Sequence, residues 1–263
     1  DQWIKPLKNI MKRAFLTKTS FEWELLFGDN NIPSTQHRTT NEWIYSEHAI
    51  QSGLITNQDG KIYPGPICWV QKDETAIQTT QTIQSTQTTQ STKSTQTTEP
   101  IKSLKSLNVL DITNVIAGPT IGSTLARFGA NVTKIDMPNP IYSPEITIIF
   151  GMVANTNKKS ILLDIIKGKK VIDKLIKKAD MLIINTTNSG LDQLGLSPTI
   201  LKEINPDIIL IQFDAWGGPT MGRRSNHLGY DDNIQAGLGI MERFGGGLGR
   251  VEEHAHLGRS EER

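Results

Sequence analysis

The sequence of 263 residues has little of three features, each of which would point to a particular class of protein. It has one cysteine, Cys68, which excludes a disulfide framework within the chain and is typical of a reducing compartment. It has no apolar run of the ~20 residues that a membrane-spanning helix needs. Its formal net charge is only +1, which argues against a nucleic acid or a membrane surface as an electrostatic partner.

The start of the sequence and the surroundings of its cysteine add further expectations. No secretory signal pattern opens the chain, which begins with Asp1 and not Met. We therefore expect an internal piece of a longer cytoplasmic protein, with a mitochondrial location as the alternative. The lone thiol has apolar neighbours on both sides, in the segment Pro66-Ile67-Cys68-Trp69-Val70. This context predicts a buried thiol and not a nucleophile.

Composition divides the chain into three parts, residues 1–72, 73–106 and 107–263. The middle part is almost entirely threonine, glutamine and serine between Thr75 and Thr98. Such a segment has too little apolar surface to offset the entropy of ordering, so we predict a disordered linker. A passive tether is the simplest role for it, and modification of its hydroxyl side chains is the alternative.

The first part has the pattern of a small helix-rich unit. Apolar residues at helical spacing predict a helix from Lys5 to Phe15. Two further helix starts carry the capping-box pattern, in which a threonine is followed three residues later by a glutamate. These two starts are Thr19-Ser20-Phe21-Glu22 and Thr39-Thr40-Asn41-Glu42. The tryptophan that follows each box, Trp23 or Trp43, is predicted to anchor the core.

The third part begins with a strand–helix–strand pattern over residues 108–136. Val109–Ile112 and Val132–Ile135 are apolar or β-branched runs, and the Gly118-Pro119 turn between them opens a helical pattern. Strands then alternate with helices through the segments 160–164, 168–179, 181–184, 197–205 and 208–213. We therefore predict an α/β fold, a doubly wound, Rossmann-like parallel sheet.

Ligands of such sheets bind beyond the carboxyl ends of the strands. Here this places Val115, Ile116, Ala117 and Gly118 at the expected site, next to a helix N-terminus whose free N–H groups favour an anion. Gly118 and Gly122 would let a ligand approach the backbone. One candidate function is a nicotinamide-dependent oxidoreductase, because Asp136 ends the second strand where a ribose-binding acid would lie. The turn, however, lacks the Gly-x-Gly-x-x-Gly fingerprint of that class.

Six ordered segments resemble class III CoA-transferases, the family of formyl-CoA transferase and carnitine CoA-transferase. These are VLDITNVIAGP (109–119), RFGANVTKID (127–136), NTNKKSILLDI (155–165), KKADMLIINT (177–186), GLDQLGLSPTILKEINPDIILIQFDAWG (190–217) and LGYDDNIQAGLGIM (228–241). The resemblance implies CoA transfer between an acyl-CoA and a carboxylic acid, with CoA as substrate and no metal. It also implies an intertwined homodimer.

The family's CoA-binding positions carry over residue by residue. The resemblance implies nucleotide contacts at Val115 to Gly118 and at the residues that match three further family elements. These residues are Asn157, Lys158 and Lys159, then Asn185, Gln193 and Leu194, and finally Tyr230 and Asp231. Lys159 and Gln193 stand where the family commonly has arginine. The planar guanidinium group with its several donors is thus replaced by an ammonium group at Lys159 and by an amide at Gln193. Tyr230 replaces the acid–base histidine of the related racemases, which favours a transferase.

The resemblance implies a nucleophilic aspartate shortly after His256-Leu257-Gly258. The chain instead reads Arg259-Ser260-Glu261-Glu262-Arg263, so no aspartate is present, and Glu261 is a weak candidate for the nucleophile. His254 and His256 lack the further ligands that a metal would need. A catalytically inactive CoA-binding remnant is therefore an alternative to an enzyme.

Residues 17–55 resemble the later part of the same family, up to a Pro-Gly-Pro at 64–66. The chain thus has the pattern of the tail of one transferase copy, a linker and the head of a second copy. An internal tandem could then replace the intertwined dimer, and a circular permutation is the alternative. Since each copy would be only half present, we expect exposed apolar surface and poor solubility for this polypeptide alone.

Overall fold

A computed structural model describes residues 3–71, 104–139, 144–218 and 220–245. The predicted linker therefore lies mostly outside the described residues, as do His254, His256 and Glu261 with the rest of the segment 246–263. The described residues form two parts, a helix-rich segment before the linker and an α/β domain after it.

The first part contains four helices and a hairpin among its described residues. They are α1 (Ile4–Phe15), α2 (Ser20–Asp29), α3 (Thr40–Ile44), α4 (Glu47–Gln51), β1 (Ile55–Gln58) and β2 (Lys61–Pro64). Both predicted capping boxes are confirmed, with Thr19 and Thr39 each exchanging hydrogen bonds with the glutamate three residues later. The hairpin was not predicted, although its Asp59-Gly60 turn has positive φ at both residues and matches a strong hairpin signal.

The aromatic anchors of this segment differ in burial. Trp43 is buried, as predicted, and its ring lies 5.9 Å from that of Trp216. Trp23 is half-buried and stacks on Phe27. The prediction for Cys68 is wrong, because its side chain is exposed. Ile67 and Val70 are exposed as well, whereas Trp69 is half-buried, and residues 65–71 form no helix or strand.

The α/β domain follows the predicted alternation closely. Its elements are β3 (Asn108–Asp111), α5 (Ala117–Arg127), β4 (Asn131–Asp136), α6 (Pro144–Ala154), β5 (Lys159–Leu162), α7 (Lys169–Ile176), β6 (Met181–Ile184), α8 (Asn188–Leu194), α9 (Pro198–Ile204), β7 (Ile209–Gln212), α10 (Asp231–Gly237) and α11 (Ile240–Phe244). The five strands pair in the order β5-β4-β3-β6-β7, and every pair is parallel.

Alternating residues of the strands build a core on each face of this sheet. Leu110, Ile135 and Leu182 pack with residues of α7, α8 and α9 on one face. Val109, Val132 and Ile183 pack with α5 on the other. Helices therefore cover both faces, and the predicted doubly wound sheet is confirmed. The strand order reverses between β3 and β6, which makes this the topological switch point of the sheet.

Two helices leave apolar side chains uncovered among the described residues. Helix α1 buries none of its residues, and on α6 the side chains of Ile148, Ile149, Met152 and Val153 are each at least 60% exposed. This confirms the expected exposed apolar surface, while poor solubility stays a prediction. No helix of the described chain is long and apolar enough to cross a membrane.

Candidate active site

The loop between β3 and α5 is held by a buried carboxylate at the end of β3. Asp111 is fully buried and accepts hydrogen bonds from the backbone N–H and the hydroxyl of Thr113. Its second oxygen lies 2.6 Å from Nζ of Lys158, whose side chain is 1% exposed. Lys158 also donates to the carbonyl oxygen of Pro119, at 2.7 Å, in the first turn of α5. We call Asp111, Thr113 and Lys158, with the carbonyl group of Pro119, the Asp111 network.

A side-chain amide holds the same loop from the neighbouring strand. Asn185, directly after β6, accepts from the N–H of Asn114 at 2.8 Å and donates to the carbonyl oxygen of Asn114 at 3.0 Å. Since β3 and β6 flank the switch point, this two-point contact fixes the loop where open α/β sheets bind their ligands.

The backbone at the tip of this loop is strained. Val115 has a φ of +64°, a left-handed conformation that is unfavourable for a β-branched residue. Such residues cost on the order of 1–3 kcal/mol and persist where the surrounding contacts determine the conformation. Here those contacts are the Asn185 amide on one side of Val115 and the Asp111 network on the other.

Helix α5 begins directly after Val115 and carries no side-chain cap. Its N-cap residue is Ile116, no acidic residue lies in its first turn, and Ile116 and Ala117 are exposed. The N–H groups of a first helical turn have no partners within the helix, so this terminus is suited to an anion. Gly118 and Gly122, however, make room for the protein itself. An added Cβ would meet the Thr113 side chain at 2.5 Å and the Asp111 carboxylate at 2.3 Å, respectively.

The structure therefore places Asn185 against Asn114, in the loop that carries Val115, Ile116, Ala117 and Gly118. The contacts of these residues with CoA stay predictions. Lys158 lies below the loop, and its ammonium group donates to three oxygen acceptors of the protein. It therefore has no donor left for a ligand. Burial lowers the pKa of Lys158, although the hydrogen bond to Asp111 acts in the opposite direction.

The other predicted site residues lie on other elements of the domain. Lys159 is exposed and borders a depression of about 300 Å³ with Asn108 and Asn131, at the amino ends of β3 and β4. Gln193 is exposed near the end of α8, and Leu194 packs against the core. The remaining three are Asn157, with a φ of +65°, and Tyr230 and Asp231, where α10 begins. Their contacts with CoA stay predictions.

Asp214 is a candidate that the sequence analysis missed. It follows β7 at the same edge of the sheet, accepts the Gly217 N–H at 2.6 Å, and burial raises the pKa of its carboxyl group. Carboxyl groups with a raised pKa at ligand-binding edges are candidates for functional groups. The sequence feature that could have indicated Asp214 is its position directly after the apolar run 208–213. In the described part of the chain no group of three or more possible ligands is placed to hold a metal ion.

Comparison with known proteins decides the family. The profile of CoA-transferase family III matches residues 104–256, which is more than half of the chain. The chain belongs to this family. The CoA-transferase/lyase DddD of Marinomonas sp. (strain MWYL1) is 38% identical over 281 residues, covering 98% of this chain and 34% of that protein. Formyl-CoA:oxalate CoA-transferase of Bradyrhizobium diazoefficiens is 36% identical over 118 residues, covering 41% of this chain and 28% of that protein. The chain thus spans about a third of the length of these curated relatives.

Solved structures of similar proteins cover about half of the chain. A CAIB/BAIF family protein from Brucella suis shares 32% identity at a TM-score of 0.47, covering 53% of this chain and 40% of its own. Rv3272 from Mycobacterium tuberculosis shares 29% identity at a TM-score of 0.48, covering 54% of this chain and 41% of its own.

Proposed function

We propose that residues 107–263 are the CoA-binding head of a class III CoA-transferase and that the longer protein transfers CoA between an acyl-CoA and a carboxylic acid. The observation that carries this proposal is the loop at the switch point. Its strained Val115 is fixed from both sides, and it leads into the uncapped N-terminus of α5. A preorganised set of backbone N–H groups suits a diphosphate, and CoA carries a diphosphate in addition to its ribose phosphate.

The predicted residues then divide into two roles. Val115 to Gly118 would contact the nucleotide, while Asn185 and Lys158 would position the loop from beside and below. The ammonium group of Lys158 acts through the carbonyl oxygen of Pro119 and the carboxylate of Asp111, and not as a phosphate ligand. In this family the nucleophile is a carboxylate, and residues 259–263 contain no aspartate. We therefore propose that this chain alone binds CoA but does not transfer acyl groups.

The proposed tandem arrangement draws support from the lengths of the relatives. The residues aligned with DddD are 34% of that protein, and those aligned with formyl-CoA:oxalate CoA-transferase are 28% of it. Since 281 and 118 residues are aligned, DddD is about twice as long as the other enzyme. The match with DddD also runs through both parts of this chain. Both facts fit a tail of one copy joined by residues 73–106 to the head of a second copy.

Calorimetric titration of the whole chain with CoA tests the proposed binding site. We expect CoA to bind, and Asn185→Leu to weaken the binding about tenfold or more because the loop loses its two-point contact. Asn41→Leu is the matched control, since Asn41 is an exposed asparagine of α3 away from the sheet. Binding of NAD without binding of CoA, by a chain that melts cooperatively, would instead favour the nicotinamide-dependent oxidoreductase.

A further inference from the structure

The first part of the chain packs on the segment that follows β7 in the α/β domain. The two parts share a hydrophobic core, in which Trp43 and Ala49 of the first part pack with Trp216. Trp43 and Trp216 are both buried, and their rings lie 5.9 Å apart. Further apolar side chains from both parts complete this core, namely Ile44, Leu54, Ile55, Ala215, Ile234 and Leu238. We call residues 215–218 and 220–239 the post-β7 segment.

Groups of opposite charge meet across this contact. The guanidinium group of Arg224 lies 3.2 Å from the carboxylate of Glu24, and both side chains are at most 4% exposed. Arg223 donates to both carboxylate oxygens of Asp29, at 3.0 and 2.7 Å. Nε2 of His227 lies 3.1 Å from the same carboxylate. The carboxylates come from the first part and the guanidinium groups from the post-β7 segment, so the two surfaces are complementary in charge.

Backbone groups are paired across the contact as well. The N–H of Arg38 donates to the carbonyl oxygen of Ala236 at 3.0 Å. The hydroxyl group of Thr220 donates to the carbonyl oxygen of Gln51, and the N–H of Thr220 lies 3.4 Å from the carbonyl oxygen of Ser52. Main-chain groups of each part are thus satisfied by the other part, as they are in the interior of a protein.

Two glycines let the two parts approach each other closely, one on each side of the contact. A Cβ atom on Gly28 of α2 would lie 2.2 Å from the imidazole ring of His227. A Cβ atom on Gly218 would lie 2.1 Å from the carbonyl oxygen of Ser52. Any larger residue at either position would push the parts away from each other, so the two surfaces are fitted to each other at interior packing density.

The covalent connection between the parts supplies none of these contacts. Every contact named above joins residues 24–55 to residues 215–239, whereas the connection runs through the hairpin, residues 65–106 and the sheet. A connection of this kind raises the effective concentration of one part around the other but adds no binding energy of its own. The contact itself has an apolar centre and polar groups around it, which is the anatomy of an interface between separate proteins.

We propose that the post-β7 segment is a docking surface for residues 19–55 and holds them without the covalent connection. The surface recognises a helical segment by two carboxylates, Glu24 and Asp29, and by the buried indole of Trp43. Residues 19–55 therefore act as a separable partner of the α/β domain. The proposal does not depend on CoA binding.

Cutting the whole chain between its two parts tests the proposal. The recognition sequence of a site-specific protease replaces residues 84–90, and size-exclusion chromatography compares the folded chain before and after cleavage. We expect the two pieces to elute together at the volume of the uncut chain, with a Kd of about 1 µM or tighter by analytical ultracentrifugation. Elution in two separate peaks would overturn the proposal. Precipitation of either piece, under conditions that keep the uncut chain in solution, would overturn it as well.

Gly28→Ala in the same cleavable chain tests whether this contact holds the pieces together. Alanine favours a helix more than glycine does, so the substitution should not weaken α2 itself. Its Cβ would meet the His227 ring, so we expect the Kd of the cut chain to rise about tenfold or more. The matched control is Gly151→Ala in α6, whose Cβ would meet only the Asn155 amide, at 3.5 Å, and which should leave the Kd unchanged. Equal Kd values in the two variants would contradict the proposal, because the pieces would then be held by some other contact.

Discussion

The chain buries two networks of charged side chains, and they differ in the number of positive groups around each carboxylate. In the Asp111 network one carboxylate meets one ammonium group, and every oxygen acceptor around Lys158 lies within the α/β domain. In the second, which we call the Glu24 network, the carboxylate of Glu24 meets the guanidinium groups of Arg38 and Arg224, which are 186 residues apart. The backbone N–H of Arg224 also donates to Nδ1 of His48. The Asp111 network is balanced in charge and holds a loop within one domain, whereas the Glu24 network is unbalanced and joins the two parts of the chain.

The largest expected effect is on the balanced network. Lys158→Met leaves the Asp111 carboxylate buried without its counter-ion, and breaking a buried pair in this way costs about 3–5 kcal/mol. We expect the free energy of unfolding in urea to fall by that amount. Lys159→Met is the matched control, because the neighbouring ammonium group is exposed and the change should be within about 0.5 kcal/mol. Equal losses in the two variants would contradict the role of the Asp111 network.

The second prediction removes the carboxylate of the unbalanced network. Burial acts to raise the pKa of Glu24, but hydrogen bonds from Arg38 and the charge of Arg224 outweigh it and lower the pKa. Glu24→Gln removes this charge and presents an NH₂ group to a guanidinium, so we expect a loss of about 2–4 kcal/mol. Urea unfolding of the two chains measures the difference, and a loss below about 1 kcal/mol would contradict the role of this carboxylate.

The third prediction uses pH to probe the Glu24 network through His48. In the folded chain its pKa is about 4, against 6.5 for the unfolded reference, so the unfolded state binds more protons between these values. Stability should therefore fall as the pH drops from 6.5 towards 4, by about 2–3 kcal/mol from this residue. His48→Asn should flatten that slope. His37→Asn, a change of the same kind outside the network, should leave it unchanged, and urea titrations at several pH values measure both.

The sequence predicted what local patterns determine. Continuous β-branched runs located the strands of the sheet, and threonine–glutamate spacing located two helix starts, because both depend on neighbouring residues. The position of Val115 after β3 followed from the same logic. The exposure of Cys68 could not be predicted, since an apolar neighbourhood does not show which other element covers it.

The partners of the buried charges were beyond local patterns as well. Lys158 had the spacing of a family CoA ligand, but its ammonium group pairs with Asp111, 47 residues away. Arg224 and Glu24 lie 200 positions apart and meet only because the two parts of the chain pack together. The glycines showed the same limit. Gly122 indicated a close approach, and the structure shows that the approaching group is the Asp111 carboxylate.

The smallest expected effect is that of a substitution at Gly122, which tests how rigidly the Asp111 network is held. Alanine is normally more stable than glycine inside a helix by about 1 kcal/mol. Gly151→Ala in α6 should follow that rule, because its added Cβ would meet only the Asn155 amide, at 3.5 Å. Gly122→Ala in α5 should instead destabilise the chain by about 1–2 kcal/mol, since its Cβ would lie 2.3 Å from an Asp111 oxygen and push the carboxylate off Lys158.

Urea unfolding of the two variants under one condition gives this contrast directly. If both alanines stabilised the chain, the carboxylate would have to move at little cost, and the Asp111 network would not be the rigid support of the loop. Opposite signs would show that a single methyl group is felt there because the buried ion pair has no second arrangement available. That rigidity is also what the strained conformation of Val115 requires, since a loop that could relax would not keep a β-branched residue at a φ of +64°.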